Sequence, residues 1–142
     1  MNTYQFSGGV IQKSGDFILR ITFDVENDIS ITHIKEIKAI RESIFSDNFY
    51  CTVVDVRKDF MGISHEAKEY IAKNPVINKF RIAEAILVKN LGQKLGVDLY
   101  IRIFKPKASS KTFLNEDKAK KWLETKYKLF NSKQNYKIPN NN

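Results

Sequence analysis

The first third of the chain alternates apolar and polar residues before its spacing changes. Within Phe17–Phe23 every second residue is apolar, and Arg20 and Thr22 stand between apolar neighbours, which is the pattern of a half-buried strand. Two shorter segments before it, Tyr4–Phe6 and Val10–Gln12, have the same character. Because turn-forming residues separate these segments, the pattern predicts an antiparallel hairpin or meander.

From residue 30 onward, segments with helical spacing alternate with short apolar runs. Isoleucines recur every three or four residues in the first such segment, where Ser30 or Thr32 can cap a helix. Tyr50–Val56 and Ile82–Val88 are nearly continuous apolar runs, typical of strands covered on both faces. Three further helices are predicted to begin at Ser64, Asn90 and Asn115, and the first of these is predicted to end at Asn74-Pro75. A short strand is predicted over 111–114. This order predicts a mixed α/β sheet with antiparallel N-terminal strands, about four helices and right-handed crossovers.

The chain shows one composition throughout until its end. Its 142 residues fit the size of one domain, and no internal repeat divides them. The last predicted helix has its final inward-facing apolar residue at Phe130, and the segment after it is polar and rich in asparagine. We therefore expect one domain over 1–130 and a disordered tail over 131–142.

The positive charge is concentrated in the C-terminal part of the chain. The formal net charge of +8 is made of −2 over residues 1–60 and +10 over residues 61–142. Nearly all of the excess is lysine, and no helix-turn-helix, zinc-finger or aromatic RNA-binding signature accompanies it. We therefore expect no sequence-specific binding of nucleic acid. The lysines fit solvated helix faces, with an anionic surface as the open alternative.

Residue types needed for common metal and catalytic sites are scarce. One cysteine cannot form an internal disulfide, and with two histidines the set is too small for an ordinary structural zinc site. The glycines lack the spacing of a phosphate-binding loop, and no nucleophile, base and orienting group are suitably placed. The sequence therefore predicts no metal, no cofactor and no enzymatic activity.

The sequence gives no sign of export or membrane insertion. The N-terminus has no basic segment followed by an apolar run, and no stretch reaches the roughly 18 apolar residues of a spanning helix. Cys51 enters a predicted buried strand, which fits a small buried thiol in a reducing compartment. We expect a cytoplasmic protein.

Three stretches of the chain are similar to a known family. They are Val53–Arg57 followed by Ser64–Tyr70, then Ala85–Asn90, and last Lys105–Lys107 with Lys111–Phe113 and Glu116–Leu123. Over roughly residues 17 to 122 the chain resembles the STAS/SpoIIAA-like family, and within it the small stand-alone bacterial branch described as STAS/SEC14-like. The resemblance implies a SpoIIAA-like α/β fold and a regulatory or protein-interaction module of the bacterial cytoplasm.

The resemblance also directs attention to the loop after the central strand. Anti-sigma-factor antagonists of this family have a phosphorylatable serine there, and Ser64 alone lies near that position; the Asp-Ser-Ser-Gly type of pattern is absent. A plain helix cap, which stabilises by about 1 kcal/mol, is the alternative for Ser64. Asp55 ends a buried strand, the usual place for ligand contact, and Arg57 is close enough to pair with it or to shape the loop. Together with His65 they form a candidate partner or ligand loop.

The helix predicted from Asn90 to Phe104 has more apolar surface than packing on a sheet requires. Its charged residues fall within an arc of about 80°, and apolar residues fill most of the remaining circle. The candidate apolar interface consists of Leu95, Leu99, Tyr100, Ile103 and Phe104. Another element of the chain, a homodimer partner, a lipid-like ligand or a membrane surface would have to cover it.

Two functions follow from these observations. The first is a non-enzymatic STAS-like module that docks a protein partner, or a second copy of itself, through the candidate loop and the apolar helix. The alternative is a carrier or peripheral binder of a lipid-like or anionic ligand, with the apolar helix as pocket wall or surface anchor.

Overall fold

The computed structural model describes residues 3–58 and 62–137, apart from the side chains of Phe104 and residues 135–137. The six strands are β1 Thr3–Phe6, β2 Gly9–Ser14, β3 Ile18–Phe23, β4 Tyr50–Asp55, β5 Arg81–Leu87 and β6 Ser109–Phe113. The five helices are α1 Ile31–Phe45, α2 His65–Lys73, α3 Pro75–Phe80, α4 Leu91–Phe104 and α5 Glu116–Lys137. The predicted caps Ser30, Ser64 and Asn90 each accept a backbone hydrogen bond at the start of their helix.

The strands lie in the sheet in the order in which they occur in the chain. β1, β2 and β3 pair antiparallel, whereas β3, β4, β5 and β6 pair parallel. The predicted mixed sheet with antiparallel N-terminal strands is therefore confirmed. Since the three crossovers all advance in the same direction, right-handed connections place their helices on one face.

The helices divide unequally between the two faces of the sheet. α1 to α4 lie on one face, where Phe45 and Val97 pack with strand residues such as Leu19. α5 covers the opposite face alone, where Ala119 and Leu123 pack on β4 and β5. We name these the four-helix face and the α5 face.

Neighbouring residues of β4 point to opposite faces of the sheet, as the pleat requires. Val53 is completely buried in the cluster beneath α5. Thr52 and Val54 point instead toward α1 and α4. The prediction that this strand is covered on both faces is confirmed.

Small residues allow α5 to approach the sheet closely. Ala83, Ala85 and Ala119 are all completely buried between helix and sheet. Farther along the helix, Tyr127 stacks on Phe17 with ring centroids 3.9 Å apart. Around these alanines, the α5 face is therefore filled by direct contact of helix and strands.

The structure contains one more helix than the sequence predicts. Asn74-Pro75 ends α2 as predicted, but the Asn74 side-chain oxygen also accepts from the backbone N–H groups of Val76 and Ile77, each at 3.1 Å. Proline at the first helical position has no N–H to satisfy. The same dipeptide therefore ends one helix and begins the short α3.

The last helix is also longer than predicted. α5 continues past Phe130 to Lys137, so the tail predicted over 131–142 begins too early, and residues 138–142 lie outside the described residues. Extending an existing helix by one residue costs little once the helix is nucleated, and no proline interrupts the chain before Pro139. The helix thus continues beyond the last residue of its apolar stripe.

Candidate functional site

The carboxyl end of β4 holds four charged side chains on the α5 face. Arg57 donates to Asp55 from Nε at 3.0 Å and from Nη2 at 2.8 Å. Arg20 of β3 donates to Asp55 at 3.0 Å and to Glu116, at the start of α5, at 2.8 Å. We name these four residues the charged network. Its two cations and two carboxylates balance, and they join β3, β4 and α5.

The network keeps both of its carboxylates ionised at neutral pH. Burial alone raises the pKa of Asp55, but the hydrogen bonds and charges of Arg57 and Arg20 outweigh burial and hold this pKa below its usual range. The hydrogen bond and charge of Arg20 likewise lower the pKa of Glu116 against the smaller effect of burial. The sequence predicts the pairing of Asp55 with Arg57, and these contacts fit a role in shaping the loop.

Ser64 and His65 lie at the start of α2, apart from the network. Ser64 Oγ accepts from the backbone N–H of Ala67 at 3.2 Å, so it caps the helix. His65 is largely exposed, and its Nε2 lies 3.0 Å from Glu69, a partner one helical turn away that the sequence analysis overlooked. The loop between the network and α2 includes residues 59–61, which lie outside the described residues.

α4 presents a row of apolar side chains to solvent. The row consists of Leu91, Leu95, Leu99 and Ile103, which are 66, 70, 52 and 63% exposed. Of the predicted interface residues, Tyr100 is instead half-buried and faces the interior of the four-helix face. The side chain of Phe104 lies outside the described residues. The apolar surplus of this helix is therefore real, but it is narrower than predicted.

The charged arc of α4 turns partly toward the sheet. Asp98 accepts from Lys94 at 2.7 Å and from the buried hydroxyl of Thr112 in β6. Periodicity alone predicts that charged residues face water, but this pairing satisfies a buried hydroxyl and rotates the leucines outward. Gly96 and Val97 consequently face the interior together with Tyr100.

A cavity of about 600 Å³ lies between the sheet and the helices of the four-helix face. Apolar side chains form most of its wall, among them Leu19, Ile21, Ile37, Val54, Ile71 and Ile86. Its volume falls within the range of about 300–1,000 Å³ that is typical of sites for small molecules. Close-packed interiors contain few voids larger than a water molecule. A second pocket, beside α5 and lined by residues such as Gly15 and Lys128, has about half the volume, at about 290 Å³.

One end of the cavity is polar. Tyr50 and Arg81, the first residues of β4 and β5, are register partners, as are Thr52 and Glu84 farther along these strands. Arg81 donates to Glu84 at 2.9 Å. With Arg41 of α1, these residues form what we name the polar end, at the amino-terminal edge of the parallel strands. Burial raises the pKa of Tyr50, although the positive charges of Arg81 and Arg41 oppose that rise.

Three polar atoms at this end lack hydrogen-bond partners. Over residues 3–58 and 62–137, the buried side-chain atoms without a partner are Arg41 Nε, Thr52 Oγ1 and Arg81 Nε. All three residues line the cavity. A buried donor that stays unpaired costs about 1–3 kcal/mol. Because the residues that carry these three atoms line the same end of one cavity, this end indicates a site for a polar group.

The charge of Arg41 is only partly compensated by the protein. Arg41 is 2% exposed. Its guanidinium lies 5.5 Å from the centre of the Tyr50 ring and donates to the carbonyl of Ser46 at 3.0 Å. Its ion pair with Glu42 is long, at 3.8 Å, and that carboxylate lies 2.6 Å from Lys38. Buried charges are normally paired closely, so a guanidinium in this position favours an additional anion.

A backbone bridge borders the other end of the cavity. Ile29 forms an isolated parallel bridge with Ile63, in which Ile29 N donates to Gly62 at 2.9 Å and Ser64 N donates to Ile29 at 2.9 Å. Asp28 also lines this end. The cavity thus runs from the amino-terminal to the carboxyl edge of the parallel strands.

The described residues contain no cluster of three or more His, Cys, Asp or Glu side chains that can hold a metal ion. Cys51 is completely buried, as predicted, and burial raises the pKa of its thiol to about 12. Because the thiolate is the reactive form, this cysteine is inert at neutral pH.

Two residues of the polar end can be recognised in the sequence as charged residues at inward-facing positions. Arg41 falls on the apolar stripe of α1, four residues after Ile37 and four before Phe45. Glu84 interrupts the apolar run of β5. Charged residues at inward-facing positions are rare unless they are paired, so these two positions already mark a buried polar site.

The architecture is that of the SpoIIAA-like fold. The crystal structure of an uncharacterised protein of the DUF3478 family from Shewanella loihica PV-4, described with a SpoIIAA-like fold, matches with a TM-score of 0.58 and 17% identity. The match covers 80% of this chain and 90% of that chain. This chain belongs to the family DUF7793, a domain of unknown function, which matches residues 11–128. No curated protein matches this chain.

Among the described residues, no helix combines the length and hydropathy required to cross a bilayer.

Proposed function

We propose that this protein binds a lipid-like ligand in the cavity of the four-helix face. The observation that carries the proposal is a void of about 600 Å³, apolar along its walls and polar at one end. An apolar void of this size forfeits dispersion contacts that a packed core would make, and an apolar ligand restores them. We infer no catalytic step for this activity.

The proposal is tested by binding of a neutral lipophilic fluorophore, N-phenyl-1-naphthylamine, to the purified chain after delipidation. We expect saturable binding of one fluorophore per chain and its displacement by long-chain amphiphiles. Ile37→Trp places a larger side chain at the wall of the cavity and is expected to weaken binding.

The matched control is Leu129→Trp on α5, where the native side chain is 51% exposed and far from the cavity lining. It adds the same indole without filling the void, so binding is expected to persist. Circular dichroism shows whether both variants keep the fold. Binding that Ile37→Trp leaves intact, or no binding by the native chain, overturns the proposal.

A second candidate function rests on the exposed apolar row of α4. We propose that Leu91, Leu95, Leu99 and Ile103 form a docking surface for a protein partner, with a second copy of this chain as the simplest case. Monomeric proteins rarely expose a continuous apolar surface without a role for it. A docking surface of this kind fits a regulatory or protein-interaction role.

Sedimentation over a wide range of protein concentration tests this candidate. We expect reversible self-association that Leu95→Ser combined with Leu99→Ser abolishes and Leu129→Ser on α5 leaves unchanged. Flotation with anionic vesicles at low and high salt provides the competing outcome, because attraction of the lysine-rich half to such a surface weakens when it is screened. A monomer that floats with vesicles overturns the self-docking version.

A further inference from the structure

We infer that the ligand of this cavity carries a single carboxylate head group, bound by Arg41, Arg81 and Thr52, on one long alkyl chain. The inference rests on the proposed function, since it assigns the chemistry of the same site. Its starting point is the convergence of three unpartnered buried polar atoms on the polar end.

The placement of these atoms favours one shared acceptor group. Tyr50 is the register partner of Arg81, lies two residues from Thr52 on the same strand, and carries the Arg41 guanidinium over its ring at 5.5 Å. The three residues are therefore neighbours of Tyr50 at the same end of the cavity. A carboxylate offers two oxygens with about four acceptor positions, enough for two Nε–H donors and a hydroxyl.

The charges at the polar end favour a monoanion. Arg41 and Arg81 supply two positive charges, and Glu84 neutralises one of them through its hydrogen bond with Arg81 at 2.9 Å. Lys38, which also lines the cavity, is balanced by Glu42 at 2.6 Å, so one positive charge remains at the polar end. A phosphate monoester carries about −1.5 to −2 at pH 7 and would leave excess negative charge beside Glu84. A carboxylate balances the site.

The volume of the cavity favours one alkyl chain. At about 30 Å³ for each water-sized group in a liquid, a void of 600 Å³ holds about 20 such groups. That is the size of a single long acyl chain with its head group. The wall residues along the remainder of the cavity are mostly aliphatic, as Ile37, Val54 and Ile86 illustrate.

Displacement of N-phenyl-1-naphthylamine by hexadecanoate, hexadecanol and hexadecyl phosphate tests the inference. A charge-assisted hydrogen bond contributes about 1.5–3 kcal/mol, so we expect hexadecanoate to bind about 10- to 100-fold more tightly than hexadecanol. We expect hexadecyl phosphate to bind more weakly than hexadecanoate. Each variant below is compared by the ratio of the first two affinities.

Arg41→Met keeps the length and packing of the side chain and removes its charge. We expect it to lower hexadecanoate affinity about tenfold or more, with hexadecanol affinity changed by less than about threefold. Thr52→Val is nearly isosteric and provides a second variant, expected to lower the same ratio several-fold. Arg102→Met, on the exposed side of α4, is the matched control and leaves the ratio unchanged.

Each contrary result identifies what has failed. Equal affinity for hexadecanoate and hexadecanol in the native chain means that water satisfies the three atoms, and it overturns the head-group assignment alone. A parallel loss of both ligands in Arg41→Met and Thr52→Val shows a merely structural role and overturns it as well. Tightest binding of hexadecyl phosphate overturns the monoanion. No binding of the fluorophore or of any C16 compound overturns the proposed function itself.

Discussion

The two faces of the sheet treat buried charge in opposite ways. On the α5 face, Arg20, Asp55, Arg57 and Glu116 pair completely with one another, and small alanines bring helix and sheet into contact. On the four-helix face, the charged groups at the start of β4 and β5 border a cavity, and three of their atoms have no partner among the described residues.

Of the two faces, the one with unpaired polar atoms is the better candidate for a ligand site. A satisfied ion-pair network contributes to holding elements together and has little capacity left for a ligand. Unpaired donors in residues beside a void cost stability, which is why the proposed ligand site is placed at this end of the cavity. The charged residues at the carboxyl edge of β4 drew attention in the sequence, but the opposite edge carries the stronger site.

The largest effect is expected from breaking the network on the α5 face. Asp55→Asn leaves Arg20 and Arg57 with only Glu116 as a carboxylate partner, so we expect the free energy of unfolding to fall by about 2–3 kcal/mol. Urea unfolding at pH 7 measures this change. A variant as stable as the native chain would contradict the structural role of the network.

The pH dependence of stability checks the same network. In the folded state the pKa values of Asp55 and Glu116 lie below their ordinary values of 3.8 and 4.5, so in acid the unfolded chain binds more protons. The stability that the network contributes is thus complete above these ordinary values and is lost as the pH falls below about 4.5. Asp55→Asn should lose less stability than the native chain between pH 5 and 3, whereas Asp98, whose pKa is also lowered, contributes to the acid dependence of both proteins.

Neighbouring valines of β4 compare packing on the two faces directly. Val53→Phe forces a ring into the filled α5 face, where Val53 is completely buried, and is expected to cost about 1–3 kcal/mol. Val54→Phe places the same ring in the cavity and should cost less than about 1 kcal/mol. Thermal unfolding of both variants gives the comparison. Equal destabilisation would mean that the cavity is not available as space.

The smallest expected effect is the difference in stability between removing an unpaired and a paired buried threonine hydroxyl. Thr52→Val removes a hydroxyl that has no partner, so in the delipidated chain we expect unchanged stability or a gain of up to about 1 kcal/mol. Thr112→Val removes a hydroxyl that donates to Asp98 and should cost about 1 kcal/mol. The measurement is urea unfolding of both variants, and a loss in Thr52→Val equal to that in Thr112→Val would remove the distinction.

Much of the fold was predictable from local patterns. Alternation in β3, the apolar runs of β4 and β5, and the caps at Ser30, Ser64 and Asn90 each depend on a few neighbouring residues, and the structure confirms them. Local patterns do not predict the short α3, because Asn74-Pro75 is typical of the end of a helix and here also begins one.

The cavity was not predictable in the same way. Residues such as Ile37 and Val54 have the pattern of an ordinary core, and periodicity does not reveal whether facing side chains meet or leave space. The direction of α4 was also hidden, because the contact of Asp98 with Thr112 joins residues that hydropathy treats separately. Arg41 and Glu84 were the local signals of the polar end.

The sequential order of the strands has a consequence for synthesis of the chain. Each strand from β2 to β6 pairs with the strand made immediately before it, so the sheet can grow at one edge as the polypeptide leaves the ribosome. The helices of the four-helix face are interleaved with these strands and arrive with them, whereas α5 is made last. Until Leu123 docks, the nascent sheet exposes Val53, Ala85 and Leu87 to chaperones and to neighbouring chains. Docking of α5 is thus the step of biosynthesis that covers this face of the sheet.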